Sequence, residues 1–261
     1  ALPQCRLYFN YRYFDNALFV DDGAGNTNRL DVNRYEFGFE KAIWCGMASV
    51  GVEVPVQHTI NSTLPGDLTN TEFGNVSVYL KHVLYQDCCT TLTTGVGVDL
   101  PTADDVVLAG AEVLDNDVFI ISPYVAMLVN DPCNCSFLHA FAQIDLPSDN
   151  YDVVGGAATI DGGTYAHVDI SYGRWLHQDC CGNGLAAIVE LHYTTNIEGV
   201  RMAAAGGNAL TSPDNDFYNA TVGATIVRGC WDVTPAVVLP LLDRPDRGFD
   251  YEFALNVNRR F

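Results

Sequence analysis

The sequence predicts an all-β chain in which residues 1–261 form a single domain, a transmembrane antiparallel up-and-down β-barrel of about twelve strands. Three observations predict it. Apolar and polar residues alternate with a period of two from end to end, with almost no helical periodicity. The connections between alternating segments run short, long, short, long. The apolar face is continuous from segment to segment, too extensive to hide without lipid or a second sheet.

The alternation is clearest in "NVSVYLKHVLY", where Val76, Val78, Leu80 and Leu84 share one face and Asn75, Ser77, Tyr79 and Lys81 the other. Equivalent segments begin near Arg6, Arg34, Met47, Phe73, Thr91, Val118, Phe137, Tyr165, Leu185, Phe217, Asp232 and Phe249. Most approach the ~9–11 residues of a tilted membrane-spanning strand. The short connections are "WCG", "QDCCT", "NDPCNCS", "QDCCGNG" and "RGCW". The long ones include "DNALFVDDGAGNTNRLDVN" and "NIEGVRMAAAGGNALTSPDND". An up-and-down sheet puts all short turns at one end and all long, acidic loops at the other.

A soluble sandwich also alternates, but its outer face is richly charged. Here the polar members include Gly38, Gly51, Gly95, Gly97, Gly223, Thr225 and Asn256, as a crowded polar interior requires. Trp44, Trp175 and Trp231 lie at the short-turn end with Tyr8, Tyr85 and Phe261, an expected interfacial girdle. Tyr13, Tyr35, Tyr193, Tyr218 and Tyr251 mark the opposite end. Pro123 and Pro235 fall inside strand segments, where a missing N–H is expected to mark a bulge or a strand end.

The last segment ends with Phe261 on the apolar face, in register with Tyr251, Phe253, Leu255 and Val257. In this and in its whole architecture the chain resembles bacterial outer-membrane β-barrels, whose last strand commonly ends in an aromatic assembly signal. The resemblance implies a bacterial outer-membrane location, a lipid bilayer as partner, short periplasmic turns and external long loops. The opening "ALPQC" reads as a mature chain after removal of a signal peptide. Oligomeric state stays open between monomer and homotrimer.

With 32 acidic residues against 13 Lys and Arg, the net charge of −19 excludes nucleic acid as a partner and favours cations. Loop carboxylates Asp21, Asp22, Asp104, Asp105, Asp214 and Asp216 offer oxygen ligands for Ca²⁺ or Mg²⁺, but no EF-hand spacing is present. No other cofactor is implied: P-loop, Rossmann and haem-attachment motifs are absent. The sequons at Asn61, Asn75, Asn134 and Asn219 carry no weight in a bacterial export.

Eight of nine cysteines fall in the five short turns: Cys45, Cys88 and Cys89, Cys133 and Cys135, Cys180 and Cys181, and Cys230. Neighbouring hairpin limbs are ~4.8 Å apart, within reach of a disulfide. The counts one, two, two, two, one predict four staples: Cys45–Cys88, Cys89–Cys133, Cys135–Cys180 and Cys181–Cys230. Cys5 is left free or bonded to another molecule. The two "QDCC" stretches are then repeated turns on one rim, not a domain duplication.

Parity places Arg6, Arg12, Arg34, Lys81 and Arg260 in the lumen with Glu36, Glu40, Glu53, Asp99, Asp145, Asp169, Glu190 and Glu252. If hydrated, these line a pore; if tightly paired, they plug it. Pairing across the "DCCG" turn sets Asp169 opposite His192, and the preceding loop brings His167 near Asp145 and Gln143. These four His and Asp residues are a weak metal or water-activating candidate near the outer mouth; a hydrogen-bonded structural patch is the simpler reading. No nucleophile–base pair stands out. The sequence therefore points to a porin-like channel for ions or small polar solutes, cation-preferring. A closed anchoring barrel and a mouth-located hydrolase are the competing classes.

Overall fold

A computed structural model describes residues 2–21, 27–60, 70–104, 106–108, 111–114, 116–133, 135–153, 158–160, 163–180, 182–197, 201–204, 209–211, 216–243 and 246–261. Its body is a closed antiparallel barrel of twelve strands. These are β1 (Arg6–Asp21), β2 (Thr27–Ile43), β3 (Ala48–Ile60), β4 (Val76–Gln86), β5 (Thr90–Leu100) and β6 (Ile120–Asp131), then β7 (Ser136–Pro147), β8 (Tyr165–Gln178), β9 (Gly184–Asn196), β10 (Asp216–Arg228), β11 (Trp231–Pro240) and β12 (Tyr251–Arg260). Each strand pairs with its sequence neighbours, and β1 pairs with β12 from Arg6–Arg260 to Asp15–Tyr251, closing the ring.

Strand number and nearly all starts match the periodicity. The departure is at the first long connection, much of which is strand: β1 and β2 stay paired to Asp21–Thr27, beyond an irregularity between Phe14 and Leu18. Asn16 makes that irregularity possible. It adopts a left-handed φ of 53°, and its amide donates to Asp15 and Asp250. An extra short strand, Asn70–Phe73, continues the β4 side against β3 after a one-residue slip. The long connections after β5, β7 and β9 each contain a small hairpin, and the three join into a separate six-stranded sheet.

The prolines correct the expectation of bulges or ends. Pro123 lies inside β6 and pairs with Val96, while the ladder to β7 skips Ser122 and Pro123 without changing register. Pro235 lies inside β11, and the ladder to β10 skips Thr234 and Pro235 in the same way. A closed barrel thus absorbs a missing donor as a local gap. At the second gap the hydroxyls of Thr225 and Thr234 hydrogen-bond at 2.9 Å, replacing part of the lost ladder.

Alternation sets the two faces. Val50, Val78, Leu80, Ile121, Val125, Ile170, Val189, Leu191, Val222 and Val237 are exposed outward, the lipid-facing belt such a barrel needs. Glu36, Glu40, Ser49, Lys81, Thr93, Ser122, Ser171, Thr221 and Glu252 are buried inward. The aromatic girdle forms only in part. Trp44, Tyr85, Trp231 and Phe261 are exposed at the short-turn end, and Phe261 stacks against Phe39 at 6.2 Å. Tyr8 and Trp175 do not join them: parity turns Tyr8 into the lumen, and Trp175 packs on the lumen-facing Phe137. At the other end Tyr193 stacks on Tyr218, and Tyr13 packs against Tyr251.

Candidate transport lumen

Inward side chains border two open cavities. One, about 590 Å³, is bordered by residues of β1 and β6–β12 including Asp169, Glu190, His192, Thr221, Thr234 and Glu252. The other, about 640 Å³, is bordered chiefly by β1–β7, including Arg34, Glu53, Lys81, Asp99, Tyr124 and Gln143. Of the sequence-derived lumen residues, Arg6, Arg12, Arg34, Glu53, Lys81, Asp99, Asp169, Glu190 and Glu252 touch a cavity directly. Glu36, Glu40 and Asp145 lie behind that surface in hydrogen-bonded networks.

Glu40 is the centre of the tightest network, toward the short-turn end. It is 0% exposed; its carboxylate accepts from Arg6 Nε at 2.8 Å, Lys81 Nζ at 3.0 Å, Ser49 Oγ at 2.6 Å and the Gln4 backbone N–H at 3.1 Å. Tyr79 adds a longer bond from its hydroxyl, and Arg6 lies over the Tyr8 ring at 4.6 Å. Two cations on β1 and β4 are thereby tied to one carboxylate on β2, the pairing a buried charge requires. Nearby, Arg34 bonds Glu36 at 2.7 Å, Asn10 donates to Glu36, and Arg12 stands 3.7 Å from Glu252. Ser77 donates to Asp99, and Arg260 holds Asp232 at 2.8 Å.

The two histidines sit where pairing put them. Asp169 is directly opposite His192, and Gln143 directly opposite His167. His167 bonds Asp145 on β7 at 2.9 Å and Thr194 on β9 at 3.0 Å. His192 bonds Asp169 on β8 at 2.9 Å and Thr221 on β10 at 2.8 Å. Each imidazole uses both ring nitrogens to tie the strands on either side, so each acts as a cross-brace and presents no lone pair to a ligand. Among the described residues no three His, Cys, Asp or Glu side chains gather as a metal site. Asp216 accepts from the Tyr193 hydroxyl; the Asp21 side chain and all of Asp22, Asp105 and Asp214 lie outside the described residues.

Of the aromatic side chains on the inner wall, Tyr79 is placed there by parity, whereas Tyr8 reads from the sequence as girdle. Tyr8 lies directly opposite Gly38, Tyr79 opposite Gly51, Tyr124 opposite Gly95 and Phe137 opposite Gly173. In each pair a Cβ on the glycine would fall within the partner's ring. The rings lie over bare backbone and border the cavities, and the Tyr8 and Tyr79 hydroxyls meet at 3.4 Å. A sequence signal existed: each of these four inward glycines has an inward aromatic as its cross-strand partner.

Three of the five cysteine-bearing turns carry an aspartate just before their cysteines, and it caps each turn. Asp87 accepts from the backbone N–H groups of Cys89 and Thr90, and Asp131 from that of Cys133. Asp179 accepts from both the backbone and the side chain of Asn183. These Asx contacts explain the repeated "QDCC" as turn chemistry. Cys5, Cys45, Cys88, Cys89, Cys133, Cys135 and Cys230 are thiols in this structure, and the Cys88 and Cys89 sulfurs are 3.1 Å apart. The hairpins end at different depths. Cys135 is level with Trp175, five residues short of Cys180, and Met47 is level with Val83, five short of Cys88. Cys89 faces Asn130, close to the Cys133 turn. Cys181 lies outside the described residues.

This closed ring, polar within and apolar without, has the fold of bacterial outer-membrane β-barrels, and its lipid-facing belt suits that membrane. Among solved structures the chain is similar to an outer membrane channel of Pseudomonas putida, with a TM-score of 0.73 at 13% identity over 100% of this chain and 97% of that one. It is also similar to the beta domain of a Bordetella autotransporter, with a TM-score of 0.54 at 15% identity over 100% of both chains. A mutant of the monoaromatic hydrocarbon channel TodX gives a TM-score of 0.56 at 8% identity over 100% of this chain and 91% of that one. At these identities the likeness is one of fold. No protein-family model matches the sequence, and no curated protein matches it.

Proposed function

We propose that the chain is a narrow outer-membrane channel for passive diffusion of ions and small polar solutes, with a preference for cations. The observation that carries this reading is the pair of polar cavities, about 590 and 640 Å³, inside a barrel whose charged side chains border open space. The fold likeness to an outer membrane channel over nearly its full length supports it. Cation preference rests on charge: Glu53, Asp99, Asp169, Glu190 and Glu252 border the cavities, and the whole chain carries −19. Acidic walls raise the local cation concentration, and salt screens that effect.

The Glu40 network favours a second reading, a closed anchoring barrel, because it fills one sector with paired charges. Planar-bilayer recording separates the two. Discrete steps with a cation-selective reversal potential at low salt, weakening toward 1 M where the Debye length is ~3 Å, are expected of the channel. Silence at all voltages supports the closed barrel, and anion selectivity at low salt refutes the charge argument.

A further inference from the structure

The inner wall of a barrel is expected to be polar, but the inward positions of β7 read Phe137, His139 and Phe141 before Gln143. Three successive inward rings on one strand stand about 7 Å apart, the rise of two residues. Neighbouring strands lengthen the strip at both ends. Trp175 of β8 packs on Phe137 with ring centroids 6.0 Å apart, and Tyr124 of β6 packs on Phe141 at 5.5 Å. Small partners flank the phenylalanines: Phe137 lies opposite Gly173 and Phe141 opposite Ala126. Phe137, Phe141 and Tyr124 are only half-buried. Backbone hydrogen bonds already seal the wall, so half-exposed rings along its inner face are not needed to close it.

We propose that this strip is a stacking track for neutral saccharides, which pass along β7 with the C–H face of a sugar ring on Phe137 and Phe141. Their hydroxyls bond to the polar groups that border the strip. This rests on the channel reading and names its solute class. Beside the rings, Asp169 lies opposite Phe141 and Ser171 opposite His139, and Gln143 follows on the same strand. Strands β1 and β12, about half-way round the ring of twelve, present Asn10, Arg12 and Asn256 to the cavities. Donors and acceptors are therefore available on more than one side of the space along which the rings run.

The chemistry of the wall selects the class. An inorganic ion has no apolar face and gains nothing from the rings. A hydrocarbon has no use for Asp169 or Gln143. A linear polyol carries hydroxyls without a flat face. A pyranose has both, an apolar ring face and a polar edge, and aromatic faces attract such C–H surfaces. The charges favour a neutral solute, because each cation bordering the space already has a carboxylate: Glu40 for Arg6 and Lys81, Glu36 for Arg34, Glu252 for Arg12. Cavities of about 590 and 640 Å³ lie within the ~300–1,000 Å³ of small-molecule sites.

The test is single-channel recording of the full chain with maltose added, against sorbitol, which has hydroxyls but no ring face. Wild type is compared with Phe141→Leu and Phe137→Leu, which keep apolar bulk and remove the flat face, and with Phe141→Tyr, which keeps it. Folding is checked by heat-modifiable gel mobility. Maltose is expected to reduce the ion current saturably in wild type and Phe141→Tyr, and sorbitol only in proportion to viscosity. The apparent affinity for maltose should fall by about threefold or more in each leucine variant, with conductance in the absence of sugar retained. A conducting wild type on which maltose acts no more than sorbitol overturns the track and leaves the channel standing. So does a maltose effect that survives both leucine changes. A folded wild type that never conducts overturns the channel reading and the track with it. If one leucine variant does not fold, the other and the maltose–sorbitol comparison on wild type still decide.

Discussion

The Tyr79 ring lies flat against Gly51 on the neighbouring strand, so close that a Cβ at residue 51 would overlap the phenol. The same contact recurs for Tyr8 over Gly38 and Tyr124 over Gly95. Gly51→Ala should therefore force the ring off the wall and into the lumen, at a cost of about 1–3 kcal/mol as for other overpacked sites. Urea titration of the barrel in detergent should show the lowered midpoint. Tyr79→Phe, which keeps the ring, should lose far less.

Glu40 is the carboxylate that pairs both Arg6 and Lys81; Arg6 otherwise meets neutral groups, Asn258 and the Tyr8 ring. Glu40→Ala leaves Arg6 and Lys81 beside an empty, buried site, and a loss of about 3–5 kcal/mol is expected for breaking one member of such a pair. Replacing Glu40 and Lys81 together with apolar residues should recover a substantial part of it. A double-mutant cycle measured by urea unfolding checks this; simple additivity would show that the network carries no coupling.

His167 and His192 brace neighbouring strands through Asp145, Thr194, Asp169 and Thr221. Alanine at both should leave the far-ultraviolet β spectrum intact and cost about 1–3 kcal/mol, the range for hydrogen bonds whose partners are left in a polar lumen. Metal content and ester or amide hydrolysis should not change. A lost bound metal or a lost hydrolytic activity would turn the braces into a site.

Asp87 gives a pH dependence outside the membrane span. The N–H groups of Cys89 and Thr90 and the Tyr85 hydroxyl hold its carboxyl below the ordinary range. A depressed folded value means that the turn is supported at neutral pH and loses that support only as pH falls through it. Amide exchange at Cys89 and Thr90 should stay protected down to about pH 4 and rise below it, since an unperturbed Asp titrates near 3.9. Asp87→Asn should raise exchange at neutral pH.

Among the four staples read from cysteine counts, the depth of the hairpins favours Cys89–Cys133, where Cys89 is level with Asn130 and the offset to Cys133 is three residues. Cys45–Cys88 and Cys135–Cys180 have the larger offset, about five residues along the strand. Non-reducing peptide mapping of the exported protein should find the Cys89–Cys133 link before the others. The neighbouring Cys88 sulfur holds the Cys89 thiol above its ordinary pKa, so Cys89 should alkylate slowly at neutral pH when reduced.

Strand number, closure and the inward charges were legible because a period of two fixes which side chains share a face. The partners of His192 and His167 followed from counting outward from one short turn. What parity misses is depth and occupancy. It cannot tell that one hairpin ends five residues below the next, which decides the staples. Parity does put Tyr8 on the face of Arg6 and Arg12, but an aromatic near a strand end reads as girdle until its glycine partner is located. Pro123 and Pro235 looked like breaks because a ladder gap closed on both sides has no local sequence mark.

The short turns carry eight of the nine cysteines and Cys5 lies at the same rim, while none occurs in the long loops. The molecule therefore comes with its own orientation gauge. A maleimide too polar to cross the bilayer, added to intact cells, meets an outer surface without a thiol to react with. Once the envelope is opened and any link between the turns is reduced, the same reagent finds a ring of them. Sidedness in cells or in reconstituted vesicles can be read from the native sequence, with no tag introduced.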